Sequence, residues 1–317
     1  MRDGPGGRRL DRDAVCGTAH RFAVAREVPA RRVASDFVRI ARFVHPGSAN
    51  TPAGVAWGTV EGPPGAGPDS LTVAAIEGHP FGPLTFTGDR WAFGDVRLLS
   101  PFLPSKVVAF GKNYADHIAE MAGEGSLRPE DQARLAPSST PLIFIKPSTS
   151  VIGEGDAIRL PASSEEVHSE GELAVVIGTP ARNVTRETAL QHVFGYCAAN
   201  DVTARDQQRA DVQFTRAKSY DSFCPLGPWV ETVLDASDLR VVTRVNGQVK
   251  QDGRTSQMIH DLATQIAFVS GIMTLLPGDV ILTGTPAGVG PIVAGDTVSV
   301  EIEGIGTLTN PVAAAKK

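Results

Sequence analysis

Glu170 and Glu172 lie two residues apart in S-E-G-E-L-A-V-V-I-G, and Asp201 sits in A-N-D-V-T-A-R-D-Q-Q. Side chains alternate along a strand, so the two glutamates would share one face, roughly 6.5–7 Å apart along it. The residues that follow, Leu173, Val175, Val176 and Ile177, are the apolar and β-branched types that form strands. Asp201 ends a second apolar run, Val193 to Ala199, and closes a triangle with the glutamates if the two strands meet. Three hard oxygen donors with no cysteine or histidine among them suit Mg²⁺ or Mn²⁺ better than zinc. An isolated E-x-E is more often a pair of solvated strand residues, because carboxylates usually stay at the surface. The motifs around this pair weigh against that reading.

His117 and Glu120 are three apart in a predicted helical turn and so share a face. A carboxylate beside an imidazole can orient it to activate water or to move a proton. An H-x-x-E pair is also common on solvated helix faces.

The elements that must carry these residues are short. Apolar runs set off by Gly and Pro predict a strand-rich chain of the α+β, mainly-β class. Helices are expected at 113–121, 187–192 and 258–276. The last is the longest, with Met258, Ile259, Leu262, Ile266, Val269, Met273 and Leu276 near helical spacing and Pro277-Gly278 as a stop. Residues 37–104 predict a small β-rich N-terminal domain and 105–313 the domain that holds the chemistry. Residues 1–36 are rich in arginine, interspersed with acids, and lack apolar periodicity. They fit neither a secretory signal nor a mitochondrial presequence. The expectation is a disordered extension, with translation starting at a GTG codon read as Val38; N-terminal mass spectrometry of the native protein checks this. Residues 121–137 are polar and charged, with Gly123 and Gly125 as hinges, and suit a lid over the site. A solvated surface excursion fits the same composition.

A formal charge of −5 argues against nucleic acid as a main partner, since phosphate binding needs a clustered basic surface. No apolar run reaches the length of a membrane span. Cys16, Cys197 and Cys224 have no paired spacing, which fits a reducing cytoplasm, and Cys197 and Cys224 read as small buried apolar residues.

The ordered set of motifs resembles the fumarylacetoacetate hydrolase family, and especially short bacterial members of the 2-hydroxyhepta-2,4-diene-1,7-dioate isomerase type. It comprises F-G-K-N-Y-A-D-H-I-A-E-M (110–121), P-L-I-F-I-K-P (141–147), H-S-E-G-E-L-A-V-V-I-G (168–178) and G-Y-C-A-A-N-D-V-T-A-R-D-Q-Q (195–208). R-A-K-S-Y-D-S-F-C-P-L-G-P-W (216–229), V-N-G (245–247) and I-L-T-G-T-P-A-G-V-G (281–290) complete it. The resemblance implies a mixed β-roll catalytic domain, a homodimer, and Mg²⁺ or Mn²⁺ held by the carboxylates at Glu170, Glu172 and Asp201. It implies a substrate with a 2-oxo acid or 1,3-dicarbonyl unit. The family's His–Glu pair falls on His117 and Glu120, its active-site lysine on Lys218, and substrate-binding positions on Arg205, Gln208 and Thr285. Lys146 either lines the site or snorkels from a strand end. Gly284, Gly288 and Gly290 read as turn residues. His168 departs from the tyrosine-like residue expected near the pair; it shares the face of Glu170 and could serve as its partner, as an extra ligand, or as an ordinary packed histidine.

The resulting expectation is a metal-dependent isomerase or C–C bond hydrolase in aromatic-compound catabolism, with oxaloacetate decarboxylation on the same site as the alternative. A non-catalytic, metal-binding dimeric scaffold is the rival from another class; the intact set of Glu170, Glu172, Asp201, His117 and Glu120 speaks against it. A nucleic-acid module recruited through the arginine-rich start has little support.

Overall fold

A strand covered on both faces can be apolar at every position, and Gly171–Ile177 is such a strand, with all its residues buried. In the computed structural model, which describes Met1 and residues 38–48, 51–63, 67–123 and 140–315, it lies at the centre of the molecule's largest sheet. Leu173, Val175 and Ile177 face a core shared with Leu262, Ile266 and Val269 of the helix Leu262–Ile272. Ala174 and Val176 face a second core with Val107, Ala109 and Leu226. Each aliphatic side chain buried this way contributes about 1.5–3 kcal/mol, so the strand that leads out of the glutamate pair is firmly anchored.

The strand pairs antiparallel with Val193–Asn200 on one side and Val280–Leu282 on the other. Beyond Val193–Asn200 the sheet continues through Cys224–Glu231, Arg39–His45, Gly54–Glu61, Thr72–Ile76 and Phe86–Ala92. Beyond Val280–Leu282 it continues through Val107–Gly111, in parallel, and Leu142–Lys146. A five-stranded sheet and a three-stranded sheet, the latter built from Thr203–Ala204, Val167–Ser169 and Gly290–Pro291, pack around this frame. The architecture is α+β and mainly β, a mixed β-roll, as expected. The small β-rich N-terminal part has its own core of Phe43, Val60, Leu71, Val73, Trp91 and Leu98. Its first strand joins the large sheet directly, Arg39 opposite Glu231 and Ile40 opposite Val230.

The chain divides into two units, Met1–Ser35 and Asp36–Lys317. Apart from Met1, the first lies outside the described residues, and with it the expectation of disorder over 1–36. Residues 124–139, most of the expected lid, also lie outside them.

The helices differ from expectation in instructive ways. The first runs Ala115–Gly123, two residues later than expected, because Asn113 is spent as a buried tie. Its amide donates to the carbonyls of Thr283 and His260, at 2.7 and 3.1 Å, and its oxygen accepts from the His260 N–H. The helix expected over 258–276 is only Leu262–Ile272. Asp261 caps it, accepting from the Thr264 N–H at 2.9 Å, so the helix starts there. Met258 is bridged instead to Tyr114, and Leu275 to Ala181, which takes both ends of the apolar pattern out of the helix. The stretch expected over 187–192 is the short helix Arg186–Ala189 followed by a 3₁₀ turn, Leu190–His192.

Candidate active site

The antiparallel pairing brings the three carboxylates together. Gly171 stands opposite Asn200 and Glu172 opposite Ala199. Just beyond the ladder the Asp201 N–H donates to the Glu170 carbonyl at 2.8 Å, and the Glu170 N–H donates to Asn200 Oδ1 at 2.9 Å. One carboxylate oxygen from each of Glu170, Glu172 and Asp201 lies within 4.8 Å of the other two, and all three residues are buried. The glycine between the glutamates has a reason: a Cβ there would meet Thr243 Oγ1 of the five-stranded sheet at 1.9 Å.

Buried charge demands partners. Lys218 Nζ donates to Glu170 Oε2 at 2.7 Å, to Asp201 Oδ2 at 2.6 Å and to Thr203 Oγ1 at 2.7 Å. Lys146 Nζ donates to Asp201 Oδ1 and to the Val202 carbonyl. Arg205 Nη2 donates to Glu170 Oε1. Burial alone would raise the Glu170 carboxyl, but Arg205 and Lys218 outweigh it and hold that group well below the usual carboxylate range. Glu172 is treated differently. Its Oε2 accepts the Gly284 N–H at 2.7 Å, while burial, and then the neighbouring Asp201 and Glu170 charges, drive its carboxyl well above the ordinary value. An all-oxygen donor set in which one carboxylate is pushed up by its neighbours fits a hard divalent cation. Glu170, Glu172 and Asp201 are the residues that would hold it.

Facing this cluster is the helix Ala115–Gly123. His117 Nδ1 lies 3.4 Å from Glu120 Oε2, and both Glu120 oxygens accept the Gly288 N–H, at 3.1 and 3.0 Å. The hydrogen bond from His117, aided by the Gly288 amide, holds the Glu120 carboxyl below its usual value against the opposing effect of burial. Gly284 and Gly288 both have positive φ, +98° and +96°, as expected of turn residues, whereas Gly290, expected to join them, lies in the strand Gly290–Pro291 without a positive φ. Gly284 and Gly288 also do something the sequence did not announce: their amides grip Glu172 and Glu120.

One cavity is lined by His117, Glu170, Glu172, Asp201, Arg205, Gln208, Lys218 and Thr285, with Phe110, Met121 and Phe214 among its other walls. Eight of the ten sequence-derived site residues therefore converge. Glu120 stands one step back, behind His117. Lys146, expected either to line the site or to snorkel from a strand end, is fully buried, is not among the residues that line the cavity, and donates to Asp201 Oδ1. The Thr285 hydroxyl donates to the Gly171 carbonyl at 2.8 Å and accepts from Gln251 at 2.7 Å. Gln251, missed from sequence, also accepts the Gly171 N–H at 2.8 Å; a lone glutamine in a strand carries no signal of that duty. His168 is not part of the carboxylate cluster. It lies against Arg205 and Glu166, and burial, then the Arg205 charge, lower its pKa.

Residues 106–313 match the family described as Fumarylacetoacetate (FAA) hydrolase C-terminal. The chain belongs to the fumarylacetoacetate hydrolase family. Residues 38–101 match the domain described as Rv2993c-like, N-terminal. Protein Rv2993c of Mycobacterium tuberculosis is 55% identical over 269 residues, which cover 84% of this chain and 97% of that protein. A crystal structure from Mycobacterium marinum, named 2-hydroxyhepta-2,4-diene-1,7-dioate isomerase, is 49% identical with a TM-score of 0.77, and the match covers 88% of this chain and 100% of that one. Oxaloacetate tautomerase YisK of Bacillus subtilis is 40% identical over 238 residues, 70% of this chain and 75% of that protein. As a member of the family, the chain is an enzyme of the isomerase and hydrolase type, and none of its described helices is long and apolar enough to cross a membrane.

Proposed function

We propose that this family member catalyses a divalent-metal-dependent proton shift in a small dicarboxylic 2-oxo acid, an isomerisation or tautomerisation through an enol. The observation that carries the reading is the His117–Glu120 pair and the Glu170–Glu172–Asp201 cluster opening on one cavity. The Mycobacterium marinum protein and YisK are named for an isomerisation and a tautomerisation, which supports the reading. When bound, Mg²⁺ or Mn²⁺ would supply positive charge that stabilises the negative charge growing on the substrate's carbonyl oxygen.

The chain's own groups account for the rest. The Glu120 carboxylate can only accept, so His117 Nδ1 carries the proton of that contact, and in the neutral ring Nε2 is the nitrogen left to act as base. His117 takes a proton from the carbon beside the carbonyl; the C–H electron pair moves into the framework, and the imidazolium returns the proton at the new position. Glu120, whose carboxyl the His117 hydrogen bond and then the Gly288 amide hold below its usual value, stabilises the imidazolium in between. Lys218 and Arg205 place positive charge where a substrate carboxylate and an enolate need it. Phe110, Met121 and Phe214 give the cavity an apolar side that limits water.

The same pair can instead activate a water for C–C bond cleavage, which is the second reading. A cytoplasmic homodimer fits both, with Cys197 and Cys224 as free, buried thiols. The test is turnover by purified protein of oxaloacetate enol, 2-hydroxyhepta-2,4-diene-1,7-dioate and fumarylpyruvate, with Mg²⁺ and with EDTA. The expected result is metal-dependent loss of the enol or dienol absorbance without carbon loss, reduced about 10²–10⁴-fold in His117→Ala. Pyruvate as product would favour cleavage or decarboxylation. No turnover of any of the three would overturn the proposed substrate class.

A further inference from the structure

Arg205 opens the helix Arg205–Ala210 and is only 6% exposed. Each of its three side-chain nitrogens has a partner. Nε donates to His168 Nδ1 at 3.4 Å, Nη1 to Gln208 Oε1 at 2.7 Å, and Nη2 to Glu170 Oε1. A guanidinium carries five N–H bonds, so these three contacts leave two. Arg205 lines the cavity, and those two are what it can offer a carboxylate there.

A planar group gripped only at its two Nη ends can still tilt; a third point, at Nε, fixes its plane. His168 supplies that point. An arginine only donates, so the nitrogen it meets must be bare, and the His168 proton is therefore on Nε2. Nε2 lies 3.1 Å from Glu166 Oε1, and Glu166 is paired in turn with Arg209. The backbones are fixed as well. His168 is in the middle strand of the three-stranded sheet, opposite Thr203 and Pro291, and the Arg205 N–H donates to the Glu166 carbonyl at 2.7 Å. His168 and Glu170 flank the point where the strand Val167–Ser169 gives way to Gly171–Ile177, and a single guanidinium meets both.

We infer that His168 is a positioning residue for substrate, fixing the plane of the Arg205 guanidinium so that its two remaining N–H bonds meet a carboxylate of the incoming acid. The inference rests on the reading of the cavity as a dicarboxylate site. It separates His168 from the metal: loss of its contact loosens anion binding and leaves the carboxylate cluster in place.

The experiment compares wild type with H168F, which keeps a flat ring but has no acceptor, and H168N, whose amide oxygen can stand near the position of Nδ1. Calorimetric titration of Mg²⁺, then of oxalate into the Mg²⁺-loaded protein, is paired with steady-state kinetics on oxaloacetate. In H168F the oxalate Kd and the oxaloacetate KM rise about tenfold while kcat falls less than about threefold. Mg²⁺ affinity is unchanged, and H168N returns to within about threefold of wild type. H168F binding oxalate as tightly as wild type, or H168N as weakly as H168F, would overturn the inference and leave the enzymatic reading standing. Wild type that ignores oxalate while Mg²⁺ is bound would overturn both. If the variants do not fold, the ¹⁵Nε–H resonance of Arg205 in wild type, assigned by its loss in R205K, serves instead. Slow exchange with solvent supports the contact, and exchange as fast as that of a free arginine refutes it.

Discussion

Glu172→Gln should make the protein more stable without metal and less responsive to it. One carboxylate oxygen from each of Glu170, Glu172 and Asp201 lies within 4.8 Å of the other two. Two unit charges at that separation repel by roughly 3–4 kcal/mol at an effective dielectric of about 20. Lys218, Lys146 and Arg205 sit on Glu170 and Asp201 and cancel part of this, leaving about 1–3 kcal/mol of strain on Glu172. Glutamine has the same shape and still accepts the Gly284 N–H, so only the charge is removed. In EDTA the variant should melt about 2–5 °C above wild type. At a hundredfold excess of Mg²⁺ over its Kd, wild type gains about 2.7 kcal/mol by mass action, and the variant should lose most of that rise. Thermal melts of the two proteins in EDTA and in Mg²⁺ give all four values. A variant that melts lower in EDTA and shows the full metal-induced rise would refute the reasoning.

Two further variants probe the frame around the site. Burial pushes the Glu154 carboxyl up to about 7, with the Thr309 N–H opposing. Between the ordinary carboxylate range and about pH 7 the unfolded chain has released a proton that the native state keeps, so native stability falls as pH rises through that window, by at most about 3 kcal/mol. Glu154→Gln should flatten that slope in urea unfolding at pH 5 and pH 8; equal slopes in the two proteins would count against it. Gly171→Ala should cost about 1–3 kcal/mol by overpacking against Thr243, and Thr243→Ala on the same chain should recover most of it. Additive losses in the double variant would show that the clash is not the cause.

Much of the site could be read from sequence because its residues announce themselves by type and period. The E-x-E pair needs only strand alternation to share a face, and the apolar runs after Glu172 and before Asp201 predicted the two strands that pair. What escaped was decided by contacts distant in the chain. Met258 and Leu276 continue a helical pattern, yet bridges of Met258 to Tyr114 and of the adjacent Leu275 to Ala181 draw both ends out of the helix. Lys146 has the chemistry of a substrate contact, but its strand carries it behind Asp201. The amides of Gly284 and Gly288 have no side chain to read, although they hold Glu172 and Glu120. Gln251 is as ordinary in sequence as it is central in space.

The strand bearing Glu172 and the strand leading to Asp201 owe their places to neighbours drawn from both ends of the chain. Val193–Asn200 leans on Cys224–Glu231, which leans on Arg39–His45, and Gly171–Ile177 leans on Val280–Leu282. Loosening any of these seams would move Glu170, Glu172 and Asp201 relative to one another. If the site holds a divalent cation as proposed, a metal titration would therefore also read the integrity of the sheet around it.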